Sequence, residues 1–369
     1  MKHPLLLALL LAASCGGPQD TAAPPPSLRE MAGQMIMAGF RGMSGDSLSP
    51  QFLAQLDSGY LGGVILFDYD LGTQAFERNI RSPEQVEALI RALQQRAPVP
   101  LLVAVDQEGG RVNRLKPRYG FAALPSAQYL GSLNVLDSTR HYAQLNAANL
   151  RRLGFNVNFA PVVDLDLNPD NPVIGGIERS FSGAAETVVA HAGAWIGAHQ
   201  EQGVLSVLKH FPGHGSSAAD SHVGFTDITP YWSAEELRPF EALAKHKALL
   251  VGIMTAHVFN GQLDSLYPAT LSRAVIHDIL RTDWGFEGLI FSDDLQMKAV
   301  SALFDFEAIL QRSIEAGVDV LVFGNNLEYD EAIPRRAVEL IVQLVESGAI
   351  EEARIRASYE RIMGVKRAK

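Results

Sequence analysis

Val204-Leu205-Ser206-Val207-Leu208-Lys209-His210-Phe211-Pro212-Gly213-His214-Gly215 is the stretch that decides the fold. An apolar run from Val204 to Leu208 stops abruptly at a cation and an imidazole, and a glycine-rich loop carries the chain on to Asp220-Ser221-His222. A strand buried on both faces is a continuous apolar run. A buried core has no use for Lys-His at its end unless something binds them. Polar groups crowded at the C-terminal end of such a strand are where an α/β barrel keeps its chemistry. Phe291-Ser292-Asp293-Asp294-Leu295 repeats the pattern, with an apolar run ending in paired carboxylates. The two stretches read as two halves of one active site.

Working outward, eight short apolar runs suit buried parallel strands: Gln34–Phe40, Gly63–Phe67, Pro100–Val105, Phe155–Ala160, Val204–Leu208, Leu250–Thr255, Gly288–Phe291 and Val318–Phe323. Helical spacing lies between many of them. Ser82 to Arg96 opens on a Ser-Pro start and carries Val86, Leu89, Ile90 and Leu93 on one face. Ser138 to Leu153, Ala185 to Gln202 and Ser272 to Leu280 are spaced alike, and Glu307 to Gly317 ends in a glycine stop. Strands alternating with helices predict a single-domain (β/α)8 barrel of the TIM type. A doubly wound open sheet is the competing architecture, weakened because no G-x-G-x-x-G follows the first strand. The charged helical stretch from Tyr329 to Lys369 is expected on the barrel's outside.

The 369 residues, 47% hydrophobic, suffice for one large barrel. With 31 basic and 41 acidic side chains the net charge is −10, and no basic stripe appears, which argues against nucleic acid as a partner. Met1 to Ser14 reads as a secretory signal, with Lys2 and His3 ahead of the apolar run Leu5 to Leu11. Ala12-Ala13-Ser14 then precedes Cys15, the only cysteine, as in a bacterial lipoprotein signal, although Ala12 stands where leucine is usual. An ordinary cleaved signal with an incidental cysteine is the plainer reading. The expectation is residues 1–15 as signal and lipidation site, 16–27 as a flexible spacer, and 28–369 as the barrel. The chain would then be exported and tethered to the cell envelope through Cys15. A monomer is expected.

If the barrel reading is right, functional residues lie just after the strands. Asp106, Glu108, Arg111 and Arg114 follow the third run and Asp164 the fourth; Lys209 and His210 follow the fifth, His257 the sixth, Asp293 and Asp294 the seventh, and Asn325 and Asn326 the eighth. Carboxylates and cations on one rim suit an oxygen-rich, uncharged ligand such as a sugar. Asp293 is the candidate nucleophile, able to attack an anomeric carbon and form a covalent glycosyl-enzyme. Its plainer reading is a helix N-cap, a role that suits Asp294 better. His222 is the candidate acid/base, titrating near neutrality, with Asp220 to orient it; the alternative is an incidental loop histidine. Lys209 and His210 could clamp hydroxyls, or form an ion pair and a satisfied core imidazole. Asp106 could accept hydroxyl hydrogens, or pair with Arg114. Arg179 lies in a long loop, where a solvated arginine is the plain reading. His210, His214, His222 and Asp220 share a loop region, but their spacing fits no standard zinc site, so neither a metal nor a cofactor is expected.

These residues resemble glycoside hydrolase family 3, in its β-N-acetylhexosaminidase branch. The resemblance is carried by K-H-F-P-G-H-G with D-S-H, by I-F-S-D-D-L-x-M, by D-Q-E-G-G-R-V-x-R at Asp106 to Arg114, by F-A-P-V-V-D at Phe159 to Asp164, and by E-R-S-F at Glu178 to Phe181. It implies a (β/α)8 barrel that removes terminal β-linked N-acetylglucosamine with retention, from an amino-sugar glycan such as peptidoglycan fragments. It implies Asp293 as nucleophile, Asp220 and His222 as the acid/base dyad on a mobile loop, and Asp106, Arg114, Arg179, Lys209 and His210 as the substrate-binding set. Ser216-Ser217 departs from the Asp-Thr usual in the branch. Within the same scaffold the alternatives are a phosphorylase and a β-glucosidase; outside it, an inactive glycan-binding lipoprotein.

Overall fold

A computed structural model of the chain describes residues 25–221 and 224–368. The signal, Cys15 and most of the spacer lie outside the described residues, and so does His222. Folded structure starts where the apolar pattern does. Helix α1, Leu28–Gln34, opens with a capping box in which Ser27 and Glu30 each bind the other's backbone N–H.

The eight apolar runs become eight strands: β1 Ile36–Gly39, β2 Gly63–Ile65, β3 Leu102–Val105, β4 Val157–Asn158, β5 Leu205–Phe211, β6 Val251–Thr255, β7 Ile290–Phe291 and β8 Leu321–Phe323. Each pairs in parallel with the next, and β8 returns to β1 with Ile36 opposite Leu321. Phe291 bridges Val320 in parallel, and the Ser292 amide donates to the Val320 carbonyl at 3.0 Å, so the ring closes between β7 and β8. A doubly wound sheet would reverse its order partway; this one runs unbroken around a barrel. Every strand residue is buried, as the continuous apolar runs require.

Helices form the outer layer. They include α2 Pro50–Asp57, α3 Pro83–Arg96, α4 Ala127–Leu133, α5 Leu136–Leu153, α6 Ala185–Glu201 and α7 Arg238–Ala244. After these come α8 Lys298–Ser301, α9 Phe306–Ala316, α10 Ile333–Glu346 and α11 Glu352–Arg367. The Ser82 hydroxyl caps α3 and Pro83 takes its first position. Gly317, at φ 120°, ends α9. Helices α10 and α11 pack against α1 on the outside.

Most strands are shorter than the apolar runs that predict them, and three departures have a local reason. Gln34 belongs to α1, which runs almost directly into β1. The stretch Ala274–Asp283 is a π-helix, its turns wider than the spacing of Ser272 to Leu280 suggests. Strand β5 does not stop at Leu208 but continues through Lys209 and His210 to Phe211, so the polar pair sits inside a buried strand. The carboxylates that make this tolerable come from neighbouring strand ends.

Candidate active site

Lys209 is 2% exposed, and its ammonium lies between two carboxylates, 2.9 Å from Asp106 Oδ1 and 2.6 Å from Glu108 Oε1. Both acids come from the segment after β3, where D-Q-E-G-G-R folds as an antiparallel ribbon, Gln107–Gly109 against Val112–Asn113. The Gln107 side-chain oxygen accepts from the amides of Arg114 and Leu115 and so aims Arg114 back at Asp106, at 3.5 Å. Glu108 also receives Arg179 in a two-pronged pair, Nε to Oε2 at 2.9 Å and Nη2 to Oε1 at 2.8 Å. A third guanidinium bond, to the Val173 carbonyl at 2.7 Å, fixes the Arg179 plane. The plain reading of Arg179 as a solvated arginine fails, because this loop folds back over the ribbon.

Burial works against ionisation of both acids, and the cations outweigh it. Lys209, then Arg114, hold the Asp106 carboxyl well below the usual range, and Arg179 and Lys209 hold Glu108 down to about 2. Both acids are therefore acceptors at neutral pH. His210 is the reverse case. Burial first, then the Arg179 charge, keeps its imidazole well below its ordinary pKa and hence neutral. Its Nδ1–H donates to Asp164 Oδ2 at 2.7 Å, and Nε2 accepts from Arg179 at 3.2 Å. In this geometry one ring nitrogen faces Asp164 and the other faces Arg179, so the ring ties the two together. Asp164 is fully buried at the end of the fourth run and also accepts from the amides of His210 and His214.

Asp293 follows β7, one of its oxygens accepting from the Asp294 amide at 2.8 Å. The N-cap reading of this pair does not hold, because the next helix, α8, begins only at Lys298. Asp294 instead accepts from the amides of Gly324 and Gln296, tying the end of β7 to that of β8. A Cβ at Gly324 would meet the Asp294 carboxylate at 2.5 Å, so a larger residue there would displace that carboxylate. His257 packs near the rim as expected, bonding Thr270 through Nδ1 and the Asp294 carbonyl through Nε2.

Asp106, Arg114, Arg179, Lys209, His210 and Asp293 line one cavity of about 290 Å³ at the C-terminal mouth of the barrel. Its remaining wall is largely apolar, with Phe67, Val173 and Met254. Asp220 is half-buried on the loop after β5 and does not line the cavity. Among the described residues no cluster of three or more His, Cys, Asp or Glu could hold a metal ion. The sequence reading gave roles to Lys209 and Arg179 but none to Glu108, which joins them. The signal for it was present, an acid two residues after Asp106 in the same motif.

The sequence description of the glycosyl hydrolase family 3 N-terminal domain matches residues 27–365. A protein of Alkalilimnicola ehrlichii named beta-hexosaminidase is 39% identical over 302 residues, covering 79% of this chain and 81% of its own. Beta-hexosaminidase LpqI of Mycobacterium tuberculosis is 34% identical over 340 residues, covering 89% and 82%. Among solved structures, a family 3 beta-N-acetylglucosaminidase from Paenibacillus superposes with a TM-score of 0.82 at 34% identity over 93% of this chain, which spans 62% of that longer one. Barrel, strand-end chemistry and these likenesses agree: the chain belongs to glycoside hydrolase family 3.

Proposed function

We propose that this glycoside hydrolase is a β-hexosaminidase that removes a terminal β-linked N-acetylglucosamine with retention of configuration. One observation carries the proposal: the Asp293 carboxylate shares a compact cavity with an acceptor, Asp106, and three donors, Lys209, Arg114 and Arg179. That set can grip the hydroxyls and amide of one sugar residue while presenting a carboxylate to its anomeric carbon. The relatives' names point to the same substrate class.

In the first step an Asp293 oxygen attacks the anomeric carbon. The glycosidic C–O bond breaks, and His222 gives its proton to the departing oxygen. In the second, water attacks the same carbon, its proton returns to His222, and the ester to Asp293 breaks. Asp220 orients the imidazole and favours its charged form. The cations around Asp106 and Glu108 hold the sugar and support an ionised Asp293. A signal ending at Cys15 supports work on glycans of the cell envelope, such as peptidoglycan fragments, with the enzyme tethered there.

The test is a comparison of nitrophenyl N-acetylglucosaminide with nitrophenyl glucoside, followed by trapping with a fluorosugar. The N-acetylglucosaminide is expected to be the better substrate, and the label is expected on Asp293. Asp293→Ala is expected to abolish turnover. A label elsewhere, or sugar 1-phosphate as the product in phosphate buffer, would overturn the mechanism.

A further inference from the structure

The turn that follows β5 is held by two buried carboxylates. Asp164 accepts the amides of His210 and His214, at 3.0 and 2.9 Å. Glu236, fully buried just ahead of α7, takes the next two. Its Oε2 accepts from the amides of Gly215 and Ser216 at 3.0 and 3.3 Å, and its Oε1 from the Ser216 hydroxyl at 2.5 Å. Gly213, at φ 111°, lets the chain pass directly over this acid, since a Cβ there would lie 2.6 Å from the Glu236 Cβ. His214 stands between the two grips, and its Nε2 meets the Ser221 hydroxyl at 3.0 Å, with both residues buried. The loop thus departs from Glu236 and returns to His214 at the residue next to His222.

Glu236 lines no part of the sugar cavity. It is also a costly residue to bury, since burial pushes its carboxyl up to about 7 against the opposing bonds from Ser216, with the Asp164 charge adding to the rise. What the position gains in return is the fixed turn. We propose that Glu236 is a positioning residue for the acid/base loop. It fixes Gly215 and Ser216 so that His214 holds Ser221, which bounds the segment carrying Asp220 and sets the point from which the chain runs on into His222. The inference rests on the reading of His222 as the proton donor.

The experiment compares Glu236→Ala, Glu236→Gln, His222→Ala and the double variant Glu236→Ala/His222→Ala on two aryl N-acetylglucosaminides, one with a good leaving group and one with a poor one. General acid catalysis contributes roughly 10²–10⁴-fold where the leaving group needs a proton. Glu236→Ala is therefore expected to slow the poor substrate by about 30-fold or more and the good one by no more than about threefold. Glu236→Gln keeps an oxygen for both amides and is expected to recover most of the loss. In the His222→Ala background, Glu236→Ala is expected to cost nothing further, because the group it positions is gone. If Glu236→Ala does not fold, Ser216→Ala removes one bond of the same grip and should give the same leaving-group pattern more weakly. Equal slowing of both substrates, or a further loss in the His222→Ala background, would overturn the inference, as would wild-type rates on the poor substrate. A His222→Ala variant with no leaving-group dependence would sink the acid assignment and this inference with it. A leaving-group-dependent His222→Ala beside a uniform Glu236→Ala would sink the inference alone.

Discussion

Glu108 shows how one side chain sets the state of its neighbours. Among the described residues it is the acid that touches both Lys209 and Arg179, and without it the two neighbouring cations would lose the counter-charge they share. Its folded pKa of about 2 lies below the ordinary 4.5. A depressed carboxyl contributes stability that is present above pH 4.5 and lost as pH falls through the folded value. Here that amounts to about 3 kcal/mol. Glu108→Gln should remove this contribution, so the variant is less stable at pH 7 and loses less than the wild type on acidification. Urea midpoints at pH 7 and at about pH 2.5, close to the folded value, would show it. Because Arg179 also loses its two-pronged partner, kcat/KM should fall by about 10²-fold, a charged hydrogen bond being worth about 1.5–3 kcal/mol. Unchanged kcat/KM with lowered stability would restrict Glu108 to a structural role.

The loop after β5 carries a pH signature of the opposite sign. Glu236 has a folded value of about 7 against 4.5, so between those values the folded chain binds more protons than the unfolded one. Stability from this group therefore falls as pH rises from 4.5 to 7 and is level above, a loss of about 3 kcal/mol. Glu236→Gln cannot titrate. The difference in unfolding free energy between wild type and variant should move by about that amount in the variant's favour between pH 4.5 and pH 8. A constant difference would mean that the carboxyl ionises normally in place. This element also shows what the sequence can and cannot disclose. Strand β5 was legible as a continuous apolar run, and Lys209, Asp106 and Asp293 were legible because charge at a strand end is costly without a use. That β5 runs on through Lys209 and His210 was not, because the acids that make it tolerable are brought in by other strands. Glu236 carried no local signal at all: it lies in an ordinary acidic run, Glu235-Glu236, and only the fold brings it beneath Gly215. The π-helix was read as an ordinary helix because its apolar spacing differs too little to register.

At the scale of the whole barrel, the last join is the one to test. Asp319, fully buried just before β8, binds across the closure at the end opposite the cavity. Its Oδ2 accepts from Arg281 at 2.6 Å and from the Ile290 amide of β7 at 3.0 Å. Its Oδ1 accepts from Ser358 at 2.7 Å and Arg361 at 3.3 Å on α11, with Arg354 3.7 Å away. One carboxylate thus joins β7, β8, the π-helix and the C-terminal helix. Asp319→Ala would leave three arginines facing one another without the counter-charge they share, and losing one partner of a buried pair costs about 3–5 kcal/mol. In a chain this long each kcal/mol moves Tm by little more than a degree, so a fall of about 5 °C is expected in calorimetry. The site residues all lie at the other end of the strands, so kcat/KM at 25 °C should stay close to wild type. A large loss of activity at unchanged Tm would mean that closure of the ring sets the geometry of the mouth, and that the two ends of this barrel are mechanically linked.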